Sequence, residues 1–279
     1  MNKHLNDRLN RHYYKDRLYE EIVSQLQIMG VDLTQVKRFD ISTVDEFHVR
    51  GAVVSKELAH CIDIKEKKVL DVGCGLGGPC RMLAEEYNCD VTGIDLSGEF
   101  IRTAKGLSKL VGLDHKTTFV QGDATELPFE DAYFDIVWTQ HVQMNVPNKG
   151  KFYSEIARVL KPKGYFLFYD ILKKGSKPIS YPMPWADSSE LSFLINADEM
   201  DHLISSMALR PISKTNQTQA GIDFFETLLA NPKKNGAPKI GLNLLMGEST
   251  GYKLENLLWH LKNGALELIS GTYIKSTNP

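Results

Sequence analysis

The sequence predicts an α/β fold in which helices cover both faces of a doubly wound, mostly parallel sheet. Short apolar segments with the composition of buried strands alternate with helical segments between residues 67 and 172, as they do in parallel sheets with crossover helices. A glycine-rich turn joins the first of these strands to the first helix, as in sheets that bind a ligand at their carboxyl edge. Hydrophobic residues make up 42% of the 279 residues, which is enough apolar material for a sizeable core.

Five strands and the helices between them account for this alternation. The strands are predicted at KKVLDVG (67–73), CDVTGID (89–95), KTTFVQGD (116–123), YFDIVWT (133–139) and YFLFYDIL (165–172). The first helix is expected to begin near Pro79, because proline is tolerated in a first turn, and the second after Ser97, which can act as an N-cap. A third helix, KGKFYSEIARVL (149–160), should end at the Lys-Pro-Lys-Gly segment 161–164.

Further helices flank this core. Residues 14–29 carry apolar side chains at helical spacing, as do residues 53–62. We expect an N-terminal helical lid over residues 1–52 and one main domain over residues 53–279, with helical or loop insertions near 175–195 and 220–263. In the C-terminal third, helices are predicted at 196–207, 222–230 and 253–263, and LELISGTYIK (266–275) is predicted as an antiparallel last strand.

Composition narrows the possible partners and the location. The formal net charge of −2 disfavours nucleic acid, because binding to it depends on neutralising phosphates. No apolar stretch is long enough for a membrane span, and the polar N-terminus does not resemble a secretory signal. The four cysteines form no CxxC pair, so we expect free thiols, a cytoplasmic location and no metal or redox site. The oligomeric state cannot be read from these features.

The strongest functional signal is VLDVGCGLGGP (69–79), together with the carboxylates that follow later strands. Gly73, Gly75 and Gly77 allow a tight turn that a ligand can approach closely. Asp95 ends the second strand, where a carboxylate can accept hydrogen bonds from ribose hydroxyls, and Asp123 ends the third. Asp71 lies near the turn, where it would repel the phosphates of a dinucleotide but suit a ligand that carries an ammonium group and a sulfonium.

These segments resemble a known family. The pattern VLDVGCGLGG…GIDLS…GDATELPFEDAYFDIVW…ARVLKPKGYFLF is similar to that of the class I S-adenosylmethionine-dependent methyltransferases, which have a Rossmann-like fold. The resemblance implies that S-adenosylmethionine is the cofactor and S-adenosylhomocysteine the product. The cofactor-binding residues that it implies are Asp71, Gly73, Cys74, Gly75 and Gly77 for the methionyl part, Asp95 and Leu96 for the ribose, Asp123 and Ala124 for the adenine, and Gln140 beside the substrate.

Three further segments, VDEFHVRG, WTQHVQMNV and YPMPWADSSELSFL, resemble the small-molecule methyltransferases that include sarcosine/dimethylglycine and tocopherol methyltransferases. This resemblance implies methyl transfer to a small acceptor, with an amine nitrogen, such as that of an amino acid derivative, as the first expectation. Methylation of an oxygen or carbon in a small hydroxylated metabolite stays open as an alternative, as does a non-catalytic protein that keeps the fold and binds the cofactor.

Polar residues that follow the fourth strand are candidates for the acceptor site. His141 can accept a proton near neutral pH, because the reference pKa of histidine is about 6.5. The candidate substrate-binding residues are His48, Gln143, Asn145, Tyr181 and Trp185, of which Tyr181 and Trp185 belong to a second lid segment at 178–194. Asp170 ends the fifth strand without an evident acidic partner, so no metal is expected.

Overall fold

The computed structural model describes residues 15–230 and 240–277. Within these ranges, seven strands form one sheet in the order β3-β2-β1-β4-β5-β7-β6. The strands are β1 (Lys68–Val72), β2 (Asp90–Asp95), β3 (Thr117–Gln121), β4 (Phe134–Gln140), β5 (Leu160–Lys173), β6 (Leu209–Asn216) and β7 (Leu266–Lys275). Strands β1 to β5 are parallel, and β7 runs antiparallel to both β5 and β6.

Helices cover both faces of this sheet. They are α1 (Leu18–Ile28), α2 (Arg38–Asp45), α3 (Ala52–Ala59), α4 (Gly78–Tyr87), α5 (Gly98–Leu110), α6 (Lys149–Val159), α7 (Ala197–Ser205), α8 (Thr218–Ala230), α9 (Asn243–Met246) and α10 (Thr250–Lys262). One apolar core lies on each face of the sheet, and a third cluster joins α1 to α5. No helix in the described ranges is both long and apolar enough to cross a membrane.

Local chemistry explains where the helices beside the site begin. Ser97 accepts a hydrogen bond from the Phe100 N–H at 3.3 Å, which caps α5. Helix α4 follows Gly77, whose φ of 79° is favourable for glycine, and it carries Pro79 in its first turn. Both helices therefore start at the carboxyl edge of the sheet, with their N-termini toward the same space.

The N-terminal helices are held to this domain by charged side chains. The Glu99 carboxylate accepts the backbone N–H of Leu18 at 2.9 Å. Arg81 of α4 is fully buried and donates to Asp45 of α2 at 2.7 Å and to the Leu76 carbonyl at 2.6 Å. This ion pair fixes the segment after α2 against the glycine-rich turn.

The predicted fold class is confirmed: the sheet is doubly wound, mostly parallel and flanked by helices, with β7 antiparallel as expected. Strand β6 was not predicted; it pairs outside β7, so β7 is not an edge strand. Helix α2 was not predicted either. Helix α6 ends at Val159, just before the Lys-Pro-Lys-Gly segment as expected, and residues 161–164 belong to β5.

Candidate active site

A large cavity opens at the carboxyl ends of β1 to β5. One side is lined by the strand ends and the turns that follow them, and the other by the segment after α2 and by the C-terminal helices. Thirteen of the sixteen predicted site residues line it: His48, Asp71, Gly73, Cys74, Gly75, Asp95, Leu96, Asp123, Ala124, Gln140, His141, Asn145 and Trp185.

The turn after β1 has a backbone that favours glycine. Gly73 and Gly75 have φ values of 75° and 53°, in the region that L side chains rarely adopt. A Cβ at Gly73 would lie 2.4 Å from a Val142 methyl carbon, whereas a Cβ at Gly75 would meet no atom within 4 Å. Gly73 thus allows the loop after β4 to pack closely, and Gly75 leaves the cavity open.

The carboxylate of Asp95 is oriented by this same turn. Its two oxygens accept the N–H of Gly75 and the N–H of Ser97, each at 2.9 Å. Burial raises the pKa of Asp95, and these N–H groups oppose the shift. A rigidly held carboxylate at a strand end is suited to accept hydrogen bonds from a vicinal diol.

Two further carboxylates line the same side. Asp71 is buried, and burial raises the pKa of its carboxyl to about 7; a cationic ligand nearby would stabilise the ionised form. Asp123 accepts hydrogen bonds from the N–H and hydroxyl of Thr125 at 2.8 and 2.7 Å. The three strand ends therefore present an acidic edge to the cavity.

Gln140 lies between this acidic edge and the N-terminal segment. Its Oε1 accepts hydrogen bonds from the Trp138 indole at 2.9 Å and the Ser55 hydroxyl at 3.2 Å. Its Nε2 is buried without a partner in the described part of the chain. The orientation of the side chain is thus fixed, and one donor remains for a ligand.

His48 belongs to the same network but is neutral. Its Nε2 lies 3.0 Å from the Ser55 hydroxyl and 3.4 Å from a Glu46 oxygen. Burial lowers the pKa of His48 to about 4 and, with the neighbouring Asp45 charge, raises that of Glu46 to about 8. The contact between His48 and Glu46 is therefore one between neutral groups at pH 7, not an ion pair.

His141 follows β4 in an uncommon backbone conformation. Its φ is 53°, which costs free energy for a non-glycine residue and is often found at functional sites. Its ring lies 4.9 Å from the Tyr169 ring and 6.2 Å from that of His48. His141 Nε2 and the Tyr169 hydroxyl are both buried without partners among the described residues. Burial, aided by His48, lowers the pKa of His141 well below its usual value.

The loop that carries His141 is held in place by hydrogen bonds with Asp170 and Lys149. Asp170 accepts the Val142 N–H at 3.0 Å, and burial raises the pKa of Asp170 to about 7. The Lys149 ammonium donates to the carbonyls of Gln143 and Phe193 at 2.6 and 2.7 Å. Lys149 therefore ties the loop after β4 to the second lid segment.

Three predicted site residues do not line the cavity. Gln143 is fully buried, and its Nε2 donates to the Ile171 carbonyl at 3.0 Å. It therefore shapes the loop rather than facing the cavity. Gly77 packs against Phe119 at the start of α4. Tyr181 packs against the apolar core beside the sheet. Asn145 does line the cavity, but its amide donates to the Trp185 and Leu191 carbonyls at 2.9 and 3.1 Å.

Apart from Trp185, the residues on the apolar side of the cavity were not predicted. Phe47 and Trp185 contribute to it together with side chains of α8 and α10, among them Phe224, Phe225 and Leu257. Both helices were predicted, but nothing in their distance along the sequence from the glycine-rich turn indicates that they line the cavity. The adjacent phenylalanines of α8 are the one local feature that could have pointed there.

The described residues contain no cluster of three His, Cys, Asp or Glu side chains that could hold a metal ion. Asp170, the carboxylate considered for such a role, instead holds the backbone of the loop after β4.

The central part of the chain is similar to known proteins. Residues 70–168 match the family described as a methyltransferase domain. A norajmaline N-methyltransferase of Rauvolfia serpentina is 30% identical over 174 residues, 59% of this chain and 60% of the relative. A glycine/sarcosine/dimethylglycine N-methyltransferase of Actinopolyspora halophila is 30% identical over 235 residues, 84% of this chain and 39% of the relative. A chloroplastic tocopherol O-methyltransferase of Arabidopsis thaliana is 43% identical over 100 residues, 36% of this chain and 29% of the relative.

Solved structures share the architecture over nearly the whole chain. A geranyl diphosphate C-methyltransferase from Streptomyces coelicolor A3(2), solved with S-adenosyl-L-homocysteine, superposes with a TM-score of 0.70 and 14% identity, covering 97% of this chain and 98% of that one. A [4+2]-cyclase superposes with a TM-score of 0.65 and 19% identity, covering 93% and 95%. Proteins of this architecture thus carry out different reactions, so likeness at such identity shows the fold alone.

The chain spans less than two thirds of the length of each of these curated relatives. The resemblance to sarcosine/dimethylglycine and tocopherol methyltransferases is nevertheless confirmed, because both kinds of enzyme are among its relatives. The part of the chain that matches the methyltransferase-domain family is residues 70–168.

Proposed function

We propose that this chain transfers the methyl group of S-adenosylmethionine to a small-molecule acceptor, with an amine nitrogen as the first acceptor class. The observation that carries the proposal is that Asp71, Asp95 and Asp123 line the same cavity as His141. Groups suited to bind a cationic nucleoside therefore lie beside a group suited to bind a nucleophile.

The residues of the acidic edge fit this cofactor. The buried Asp71 carboxyl, whose pKa is raised to about 7, would be stabilised as a carboxylate by a nearby ammonium or sulfonium group. Asp95 is oriented to receive the ribose hydroxyls, and Asp123 with Ala124 lies where an adenine would be held. The Nε2 group of Gln140, which is buried without a partner, supplies a donor between the cofactor and the acceptor.

Bound S-adenosylmethionine would supply an electrophilic methyl group to a lone pair of the acceptor, with S-adenosylhomocysteine as the leaving group. The protein mainly orients the acceptor and excludes water, since correct alignment itself lowers the barrier. The lowered pKa of His141 keeps its imidazole neutral at physiological pH. A neutral imidazole can accept a hydrogen bond from the acceptor's N–H or O–H and orient its lone pair toward the cofactor.

An amine is favoured because a desolvated cavity stabilises the neutral form that carries the lone pair. Two of the relatives described above are named as N-methyltransferases. Methylation of an oxygen is the second candidate, because the neutral His141 could equally accept the proton of a hydroxyl. The near-zero net charge supports a small acceptor rather than a nucleic acid, and the free cysteines are compatible with the cytoplasmic location that we propose.

The test is a screen with methyl-labelled cofactor across amines, phenols and thiols, scored by labelled product and by S-adenosylhomocysteine formed. With the best acceptor, we expect His141→Gln to lower kcat by about 10- to 100-fold, because the hydrogen bond that orients the acceptor toward the cofactor is misplaced. Cofactor affinity should stay nearly unchanged. His115→Gln, at an exposed position of the chain, is the matched control and should retain full activity.

Two outcomes would contradict the proposal. A loss of less than about threefold in His141→Gln would exclude this orienting hydrogen bond and leave His141 with a structural role. Failure of the whole panel to yield S-adenosylhomocysteine, with the cofactor bound, would favour a protein that binds the cofactor without methyl transfer.

A further inference from the structure

The half of the cavity that faces the acidic edge is built from apolar side chains of separate elements. Phe47 comes from the segment after α2, Trp185 from the second lid segment, and Phe224 and Leu228 from α8, while Leu257 comes from α10. Phe224 and Leu228 are only partly buried by the protein itself. A bound acceptor would cover this remaining apolar surface, and the burial would contribute to its affinity.

Polar groups on this half are few, and most are committed to protein partners. The Asn145 amide donates to two carbonyls, and His48 Nε2 contacts the Ser55 hydroxyl and the Gly51 carbonyl. His141 contributes a buried Nε2 that has no partner in the described part of the chain. Gln140 Nε2, at the boundary with the acidic edge, is a second such atom. The acceptor half therefore offers few polar contacts and an extended apolar wall.

The charges that face the cavity are negative. Asp71, Asp95 and Asp123 line it, as does Asp45, whose charge is balanced by the buried Arg81. No Lys or Arg belongs to the lining within residues 15–230 and 240–277. A carboxylate on the acceptor would thus lose its hydration against an apolar wall and face acidic side chains, and both effects disfavour binding.

From these observations we infer the class of acceptor: an amine with one polar nucleophilic head and a ring-sized apolar body, and without a carboxylate. The inference rests on the proposed function of the cavity and narrows it, since it excludes amino acids such as those named for one of the relatives. The head binds at His141, and the apolar body lies against α8 and α10. Selection against carboxylates follows from the acidic edge.

The test measures binding rather than turnover. The full chain, with and without saturating S-adenosylhomocysteine, is titrated with N-phenyl-1-naphthylamine, a neutral apolar amine whose fluorescence rises in apolar surroundings. We expect saturable binding. Leu228→Gln should weaken it by about fivefold or more, because a polar amide replaces part of the apolar wall. Leu229→Gln is the matched control: the neighbouring leucine is also partly buried but does not line the cavity, so it should change the Kd by less than about twofold.

Displacement of the probe then tests the selection against a carboxylate. The competitors are 4-propylaniline and 3-(4-aminophenyl)propanoate, which differ in whether the chain ends in a methyl group or a carboxylate. The neutral amine should displace the probe at a concentration at least about tenfold lower. Equal or better displacement by the carboxylate would overturn the inference, as would equal losses in the two leucine variants or the absence of saturable binding.

These results are separable from the proposed function, which depends on cofactor binding and methyl transfer. If the cofactor binds while N-phenyl-1-naphthylamine does not, the inferred acceptor class is wrong and the proposed function stands. If the probe binds as expected while the cofactor does not, the proposed function fails and the apolar site remains.

Discussion

The two halves of the cavity are built in different ways. The acidic edge comes from strand ends and turns between Asp71 and Gln140, and its side chains are oriented by local backbone hydrogen bonds such as those from Gly75 and Ser97 to Asp95. The apolar wall is assembled from segments that are far apart in sequence, from Phe47 to Leu257. Turn chemistry therefore fixes the first half, and packing of separate helices fixes the second.

The junction between the halves is the buried ion pair of Arg81 and Asp45. Arg81→Met would leave the Asp45 carboxylate buried without its cation, and removing one partner of such a pair costs about 3–5 kcal/mol. We expect the free energy of unfolding, measured with denaturant, to fall by that amount. The apolar wall at Phe47 should loosen as well, because Asp45 ends the helix that precedes it.

A double variant shows whether Arg81→Met loses stability because a buried charge is left without its partner or because packing is lost. Replacing both partners, as Arg81→Met with Asp45→Leu, should recover part of the stability, since no uncompensated charge remains. A single Arg81→Met variant that loses less than about 1 kcal/mol would show that the ion pair does not hold the halves together.

Close packing at Gly73 is the next contact to break. Gly73→Ala places a side chain in the left-handed region and against Val142, with costs of about 1–2 kcal/mol for the backbone and 1–3 kcal/mol for the overlap. Gly112→Ala is the matched control, because Gly112 has a φ of 72° but no atom within 4 Å of the added Cβ. Thermal or chemical unfolding of both variants measures the difference. Equal losses would mean that Val142 yields to the added methyl group.

The same contrast explains what could be predicted. The turn residues, Asp95, Asp123 and the alternation of strands and helices are local signals, and the structure brings these residues to one cavity. Gln143 was expected to face the acceptor, but its side chain is buried. It lies in a loop whose path depends on hydrogen bonds with Asp170 and Lys149. No sequence pattern relates Phe224 and Leu228 to the glycine-rich turn. Long-range packing, rather than propensity, decides their positions.

A smaller effect, confined to the acidic edge, is the proton that Asp71 should release when the cofactor binds. The pKa of its carboxyl is about 7 in the free protein, and a cationic ligand nearby should lower it, because an opposite charge favours the ionised form. Cofactor binding should therefore release close to one proton per molecule at about pH 6 and little at about pH 8. Calorimetry in buffers of different ionisation enthalpy measures this release. Asp71→Asn should abolish it, and proton uptake by the native protein would contradict the assignment.

The central claim is that the acidic edge binds S-adenosylmethionine, and calorimetric titration of the cofactor into Asp95→Ala tests it most directly. Loss of charge-assisted hydrogen bonds worth about 1.5–3 kcal/mol should weaken binding by roughly 10- to 100-fold. Asp90→Ala is the matched control, since Asp90 begins the same strand, is exposed and pairs with Lys116 away from the cavity; its Kd should stay within about twofold. Unchanged affinity in a folded Asp95→Ala variant would contradict the account.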